Sequence, residues 1–162
     1  YQVSIQQLIS CYENRFDEHF RIETDFSSNV TIFTADLVIT DWSGIAFEFS
    51  YATKKPCLFI DTPMKTMNPE YNKISCIPIE LSLRNEIGCS LSPDSLDNVD
   101  KSVAELLDSK ELYIQKINDV IKHYLFNPGH SAEVAADYII SAVNKTKYNS
   151  SDVKILEKEE IL

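Results

Sequence analysis

The chain has 162 residues, of which 44% are hydrophobic and 25% are charged, which is ordinary for one globular domain with a buried core. Its net charge of −10 argues against nucleic acid as a partner, because phosphate backbones attract basic proteins. No apolar run approaches the roughly 20 residues that cross a bilayer, and no secretory signal opens the chain.

The four cysteines are Cys11, Cys57, Cys76 and Cys89, and no two have the C-x-x-C spacing of a zinc knuckle. Cys57 and Cys76 lie in apolar runs, which predicts buried free thiols. Without a secretory signal we expect no disulfides and a reducing, cytoplasmic setting. We expect no metal and no cofactor. Because the chain begins with Tyr1 rather than Met, we expect it to be a piece of a longer protein.

The first predicted element is a helix. Ser4 and Gln7 have the spacing of a capping box, and the apolar residues that follow at helical spacing predict a helix to about Phe16. Residues 20–23 are predicted to form a short strand, and residues 29–34 a short helical or irregular link.

The next three elements form one unit. Residues 37–40 are predicted to be a buried strand, Ile45–Thr53 a helix and Cys57–Ile60 a second buried strand. Such a βαβ unit implies parallel strands. The carboxyl ends of both strands then face one crevice, where parallel sheets bind ligands. The predicted fold class is α/β, a Rossmann-like parallel sheet flanked by helices.

The second half of the chain is predicted to be mostly helical. A long polar loop over residues 61–75 precedes a third strand at residues 76–79, and residues 81–87 lead to a turn at Gly88. Helices are predicted to start at Ser92 and Ser109. A last helix covers residues 132–144, with its apolar face inward; that face consists of Val134, Ala135, Tyr138, Ile139 and Ala142.

The turn between the first predicted strand and its helix is a candidate phosphate site. Backbone N–H groups at a helix start have no partner within the helix, and the helix dipole adds positive potential there. Ser43 and Gly44 could therefore bind phosphate through a hydroxyl and an N–H group, or could simply cap the helix. Trp42 could cover a base or sugar, or could be a core aromatic residue.

Several polar side chains accompany this turn. Asp41 could orient a donor hydroxyl or cap the turn, and Asp61 follows the second predicted strand. Glu48 could face the same crevice or be a solvated helix carboxylate. His130 and Ser131 precede the last predicted helix, where they could donate to an anion or lie in an ordinary exposed turn.

Residues 34–49, TADLVITDWSGIAFEF, resemble the signature ADxLITDYSSxxFDF of the CDP-glycerol glycerophosphotransferase family, the teichoic acid and capsule polymerases. Residues 54–61, KKPCLFID, resemble that family's kkPiifya strand, and residues 127–139 resemble its closing helix. The resemblance implies a GT-B enzyme, in which two Rossmann-like domains hold the nucleotide donor mainly through the C-terminal one. Residues 1–146 would then be part of the C-terminal domain, and residues 147–162 a charged tail.

By the resemblance, Ser43 and Gly44 match the serine pair that holds the donor's phosphate, and Asp41 and Glu48 match acidic positions. Gly44 replaces the second serine, Trp42 replaces a tyrosine and Glu48 replaces an aspartate, so the donor could be CDP-glycerol or a nucleotide sugar. No catalytic residue is assigned. The predicted donor-binding residues are Thr40, Asp41, Trp42, Ser43, Gly44, Glu48, Asp61, His130 and Ser131.

The resemblance also implies a teichoic acid or polysaccharide acceptor, bound by an N-terminal domain that this chain lacks. It implies peripheral association with the inner face of a bacterial cell membrane, and an isolated chain without activity. Two alternatives are a GT-B glycosyltransferase that uses a nucleotide sugar and a non-catalytic α/β interaction module. The acidic residues Asp36, Asp41 and Asp61 near strand ends suggest a receiver-like version of that module, which would also need a lysine after its last strand.

Overall fold

A three-stranded parallel sheet organises the fold. The computed structural model describes residues 4–25, 30–64 and 68–143. Strands β1 (Val38–Thr40), β2 (Cys57–Ile60) and β3 (Gly88–Leu91) lie in the order β1-β2-β3, with Cys57 opposite both Val38 and Gly88. The prediction of an α/β fold with a parallel sheet flanked by helices is confirmed at this level.

The other regular elements of the described chain are helices and short 3₁₀ segments at Glu13–Arg15, Tyr71–Lys73 and Pro93–Asn98, joined by irregular segments such as residues 16–25 and 74–78. Helix α3 joins β1 to β2, as predicted, and helices α4 and α5 come between β2 and β3. The helices are α1 (Ile5–Tyr12), α2 (Val30–Thr34), α3 (Ile45–Thr53), α4 (Ile79–Ser82), α5 (Arg84–Ile87), α6 (Val99–Asp108), α7 (Lys110–Tyr124) and α8 (Ser131–Val143).

The core forms around the central strand. β2 is buried from Cys57 to Phe59, since parallel strands covered by helices lose contact with water on both faces. Helix α3 packs against it and ends at Thr53, and the next residue, Lys54, has a left-handed φ of 60°. Pro56 directly precedes β2. The buried hydrophobic cluster comprises Ala46, Phe47, Phe49, Cys57, Phe59, Leu83, Ile87, Ile117 and Val120.

The third strand lies later in the chain than predicted. Residues 76–78 are exposed and irregular, and Pro78, which lacks the N–H group that a ladder needs, precedes α4. The strand is Gly88–Leu91, so the predicted turn at Gly88 is also wrong. A Cβ atom on Gly88 would lie 1.8 Å from the carbonyl oxygen of Cys57, so the close approach of β3 to β2 requires glycine.

The first helix and the segment after it differ partly from the prediction. The capping box is confirmed: the Gln7 N–H donates to Ser4 Oγ at 3.2 Å. The α-helix ends at Tyr12, before a 3₁₀ turn. Residues 20–23 form no strand, because Phe20 packs its ring against Phe16 and Tyr12, at centroid distances of 5.8 and 6.0 Å, and not into a ladder.

Helix α8 forms nearly where predicted, but its apolar residues do not point inward. Val134, Tyr138 and Ile139 are exposed, and the helix has no buried residue. Periodicity predicts a helix correctly, yet burial needs a second element, and none in the described ranges covers this face. The predicted tail, and with it the division at residue 146, lies outside the described residues.

The two cysteines that were predicted to be buried differ. Cys57 is fully buried, as predicted, and its Sγ is hydrogen-bonded to Ser50 Oγ at 3.4 Å. Cys76 is exposed, so the prediction for Cys76 is wrong. Burial raises the pKa of the Cys57 thiol to about 11, although the hydrogen bond from Ser50 partly opposes this shift.

This environment predicts unequal thiol reactivity. Only the thiolate attacks a disulfide reagent, and below pH 9 the Cys57 thiol stays protonated because its pKa is about 11. We expect Cys11 and Cys76 to react rapidly with an aromatic disulfide reagent at mildly alkaline pH, and Cys57 only after unfolding. Mass spectrometry of labelled peptides identifies each site. Equal rates for Cys57 and Cys76 in the folded protein would contradict the burial of β2.

Candidate functional site at the carboxyl ends of β1 and β2

The carboxyl ends of β1 and β2 lie side by side, as the βαβ prediction requires. Thr40 ends β1 opposite Phe59, and Asp61 follows β2 with its N–H donating to the Leu91 carbonyl oxygen at 2.9 Å. The β1–α3 turn, residues 41–44, leads from Thr40 into the helix. The predicted crevice therefore has a strand, a four-residue turn and a nine-residue helix at one edge of the sheet.

The β1–α3 turn leaves backbone donors unused where it leads into the helix. The Ser43 hydroxyl accepts from the Ile45 N–H at 3.4 Å, and the carbonyl oxygens of Ser43 and Gly44 accept the first helical bonds. The N–H groups of Ser43 and Gly44 donate to no acceptor in the described part of the chain, and both residues are exposed. Unbonded donors at the start of a helix favour an anion.

Gly44 is not required by the backbone. It is the N-cap of α3, with φ −61° and ψ −20°, a conformation that any residue adopts. A Cβ atom there would meet no atom within 4 Å. A serine at this position would therefore fit without strain and would add a hydroxyl beside the two unused N–H groups.

Arg84 ties the two strand ends together. Its Nη1 donates to the Asp41 carbonyl oxygen at 3.1 Å, and its Nη2 donates to Asp61 Oδ1 at 2.6 Å. The side chain is 7% exposed, and its Cζ lies 4.0 Å from the ring centroid of Trp42 and 4.3 Å from that of Phe59. A buried guanidinium with a carboxylate partner and two aromatic neighbours fixes the positions of both loops.

Arg84 is not among the residues that the sequence predicts for this site. It lies within residues 81–87, whose pattern predicts only the approach to a turn, and no motif marks it. One signal was present: carboxylates were expected at both strand ends, at Asp41 and Asp61, and clustered carboxylates favour a neighbouring cation. The chain has several basic side chains, however, and only the fold shows which of them lies beside these carboxylates.

Trp42 spans the two loops. It is half-buried, its Nε1 donates to the Thr62 carbonyl oxygen at 2.7 Å, and the Thr62 hydroxyl lies 3.4 Å from Asp41 Oδ2. Trp42 also lines a cavity of about 440 Å³, which we call the Trp42 cavity. Trp42 is thus neither fully buried in the core nor free in solution.

The remaining predicted residues do not join this group by any contact in the described structure. Glu48 is exposed in the first turn of α3, and its side chain makes no hydrogen bond to a described residue. His130 Nδ1 contacts Glu133 Oε2 at 3.3 Å, and the Ser131 hydroxyl donates to the Asn127 carbonyl oxygen at 2.8 Å. The residues that the fold does bring together are Thr40, Asp41, Trp42, Ser43, Gly44 and Asp61.

Among residues 4–25, 30–64 and 68–143, no group of three or more His, Cys, Asp or Glu side chains could hold a metal ion. No helix within those ranges is long and apolar enough to span a membrane. No family model, curated protein or solved structure matches the chain.

Proposed function

We propose that the chain is the donor-binding portion of a CDP-glycerol glycerophosphotransferase-like enzyme of teichoic acid or capsular polysaccharide biosynthesis, within the C-terminal domain of a GT-B protein. The observation that carries the proposal is the pair of unused N–H groups at Ser43 and Gly44, at the start of α3. They lie at the ligand-binding edge of a parallel sheet, inside the segment that resembles the family signature.

The chemistry assigned to this turn is phosphate binding. The two N–H groups and the Ser43 hydroxyl would donate to the donor's phosphate oxygens, with the dipole of α3 adding positive potential. An acceptor hydroxyl would attack the β-phosphorus, the bond from that phosphorus to the CMP oxygen would break, and CMP would leave with the electron pair. Donors already in place would stabilise the charge on the phosphoryl oxygens.

The rest of the reaction is assigned to another part of the protein. The hydroxyl proton would pass to a base in an N-terminal domain, which would also bind the teichoic acid or polysaccharide acceptor. Membrane association of the whole enzyme would be peripheral. We therefore expect this chain alone to bind the donor weakly and to transfer nothing.

One observation favours a second candidate, a GT-B glycosyltransferase that uses a nucleotide sugar. Gly44 stands where the family signature has a second serine, and the space around its Cβ position is open. A larger transferred group could occupy the volume that the serine hydroxyl would fill. Both candidates need the β1–α3 turn to bind phosphate, and they differ in the group that the donor's phosphate carries.

Calorimetric titration of the 162-residue chain with CDP-glycerol, UDP-glucose and glycerol phosphate tests the proposal. We expect CDP-glycerol to bind, and Ser43→Ala to weaken its binding about tenfold, the effect of one hydrogen bond to a charged group. Tighter binding of UDP-glucose would support the second candidate.

The matched control is Ser10→Ala, which removes an exposed hydroxyl from α1. Equal binding by the Ser43→Ala and Ser10→Ala variants would contradict a role for the β1–α3 turn. An absence of binding by all three compounds would leave the non-catalytic interaction module as the better description.

A further inference from the structure

The Trp42 cavity is lined by residues that have no role in the phosphate binding proposed for the β1–α3 turn. Its volume is about 440 Å³, and apart from Asn68 and Asn72 its walls are apolar or aromatic. Met64, Tyr71 and Leu81 contribute to these walls, and none of the described residues that line them carries a charge. The cavity therefore suits an uncharged group and not a second phosphate.

The cavity and the β1–α3 turn share a wall. Trp42 lines the cavity and is joined directly to Ser43, so no residue of chain separates the two sites. Arg84, which lies over the indole ring at 4.0 Å, does not line the cavity. Because the two sites meet at Trp42, one extended ligand could contact both.

We propose that the Trp42 cavity binds the nucleobase of a ligand whose phosphates lie at Ser43 and Gly44. This inference rests on the proposed function and names the part of the donor that the cavity takes. A flat base buries both faces against apolar and aromatic walls, and stacking on an aromatic ring contributes about 1–3 kcal/mol. A glycerol or sugar group carries several hydroxyls, and the two amides and one phenol of the cavity would leave some of them without partners.

The two amides fit the edge of a base. Asn68 Oδ1 accepts from the Glu70 N–H at 2.9 Å, so its NH₂ group is the part that remains to donate. Asn72 carries both a donor and an acceptor, and it makes no side-chain hydrogen bond to a described residue. Ring carbonyl and ring nitrogen atoms of a base accept such bonds, whereas a hydrocarbon chain would leave both amides unpaired.

Trp42 itself supplies the assay, because it is the only tryptophan in the chain. We expect cytidine or uridine, without any phosphate, to quench its fluorescence in a saturable way, and CDP to do so at lower concentration. Glycerol phosphate should cause no quenching. Ile77 lines the cavity and is 68% exposed, so the Ile77→Lys variant should fold normally. Its affinity for the nucleoside should be about tenfold lower.

The matched control is Ile139→Lys, the same change at an exposed isoleucine of α8 that does not line the cavity. It should bind nucleoside like the unmodified chain. The inference is overturned if nucleosides do not quench Trp42, if both lysine variants bind them equally, or if farnesol displaces them completely while CDP does not compete.

The outcomes separate this inference from the proposed function. CDP binding could depend on the Gly44 N–H group, be unchanged by Ile77→Lys and leave the fluorescence of Trp42 unquenched. In that case the base lies elsewhere, and only this inference fails. If Ile77→Lys weakens nucleoside binding and CDP binds no more tightly than cytidine, the cavity is a base site but the β1–α3 turn does not bind phosphate.

Discussion

Arg84→Met is expected to lower the free energy of unfolding by about 2–3 kcal/mol, since it removes a buried ion pair and a hydrogen bond while keeping the apolar stem. The full cost of breaking a buried pair is larger, but Asp61 is 44% exposed and its carboxylate can regain water. Denaturant unfolding, followed by Trp42 fluorescence, measures the change. The emission of Trp42 should also shift to longer wavelength, because loss of Arg84 opens one side of the indole to water.

The control for this change is Lys116→Met. Lys116 pairs with Glu86 at 3.4 Å, and its side chain is 36% exposed, so losing this pair should cost no more than about 1 kcal/mol. Trp42 emission should not move in this variant. Equal stability losses in the two methionine variants, with unchanged Trp42 emission in both, would show that Arg84 does not hold the strand ends together.

The sequence predicts the site's backbone well because the information there is local. A buried run, a polar turn and a largely apolar helical segment lie within residues 37–60, and each is fixed by neighbours within a few positions. The Ile45–Thr53 and Cys57–Ile60 predictions agree with the observed bounds. Once two strands are parallel and adjacent, the meeting of Thr40 and Asp61 at one edge follows from geometry.

Three of the failures depend on contacts between distant parts of the chain. Residues 76–79 have the composition of a strand, but only the pairing of Gly88 with Cys57 shows which segment joins the sheet. Arg84 reaches Asp41 across 43 positions of sequence. Likewise, α8 has a pattern that predicts a buried face, and its exposure depends on which elements the fold brings near it. Local pattern does not contain that information.

Gly44→Pro is expected to abolish most phosphate-dependent binding while leaving the fold intact. Proline requires a φ near −65°, and Gly44 already has −61°. The N–H group that proline removes donates to no acceptor in the described structure, so the folded chain loses no hydrogen bond. Calorimetric titration with CDP should show at least about a tenfold loss of affinity, the effect of one hydrogen bond to a charged group.

Two further substitutions at the same position separate the N–H group from the side chain. Gly44→Ala keeps the N–H and places a methyl group in open space, so its affinity for CDP should equal that of the unmodified chain. Gly44→Ser keeps the N–H and adds a donor, so its affinity should rise severalfold. Unfolding free energies of all three variants should agree within about 1 kcal/mol. If Gly44→Pro binds CDP as tightly as Gly44→Ala, the backbone of this turn does not hold the phosphate, and the resemblance of residues 34–49 to a donor-binding motif would not extend to function.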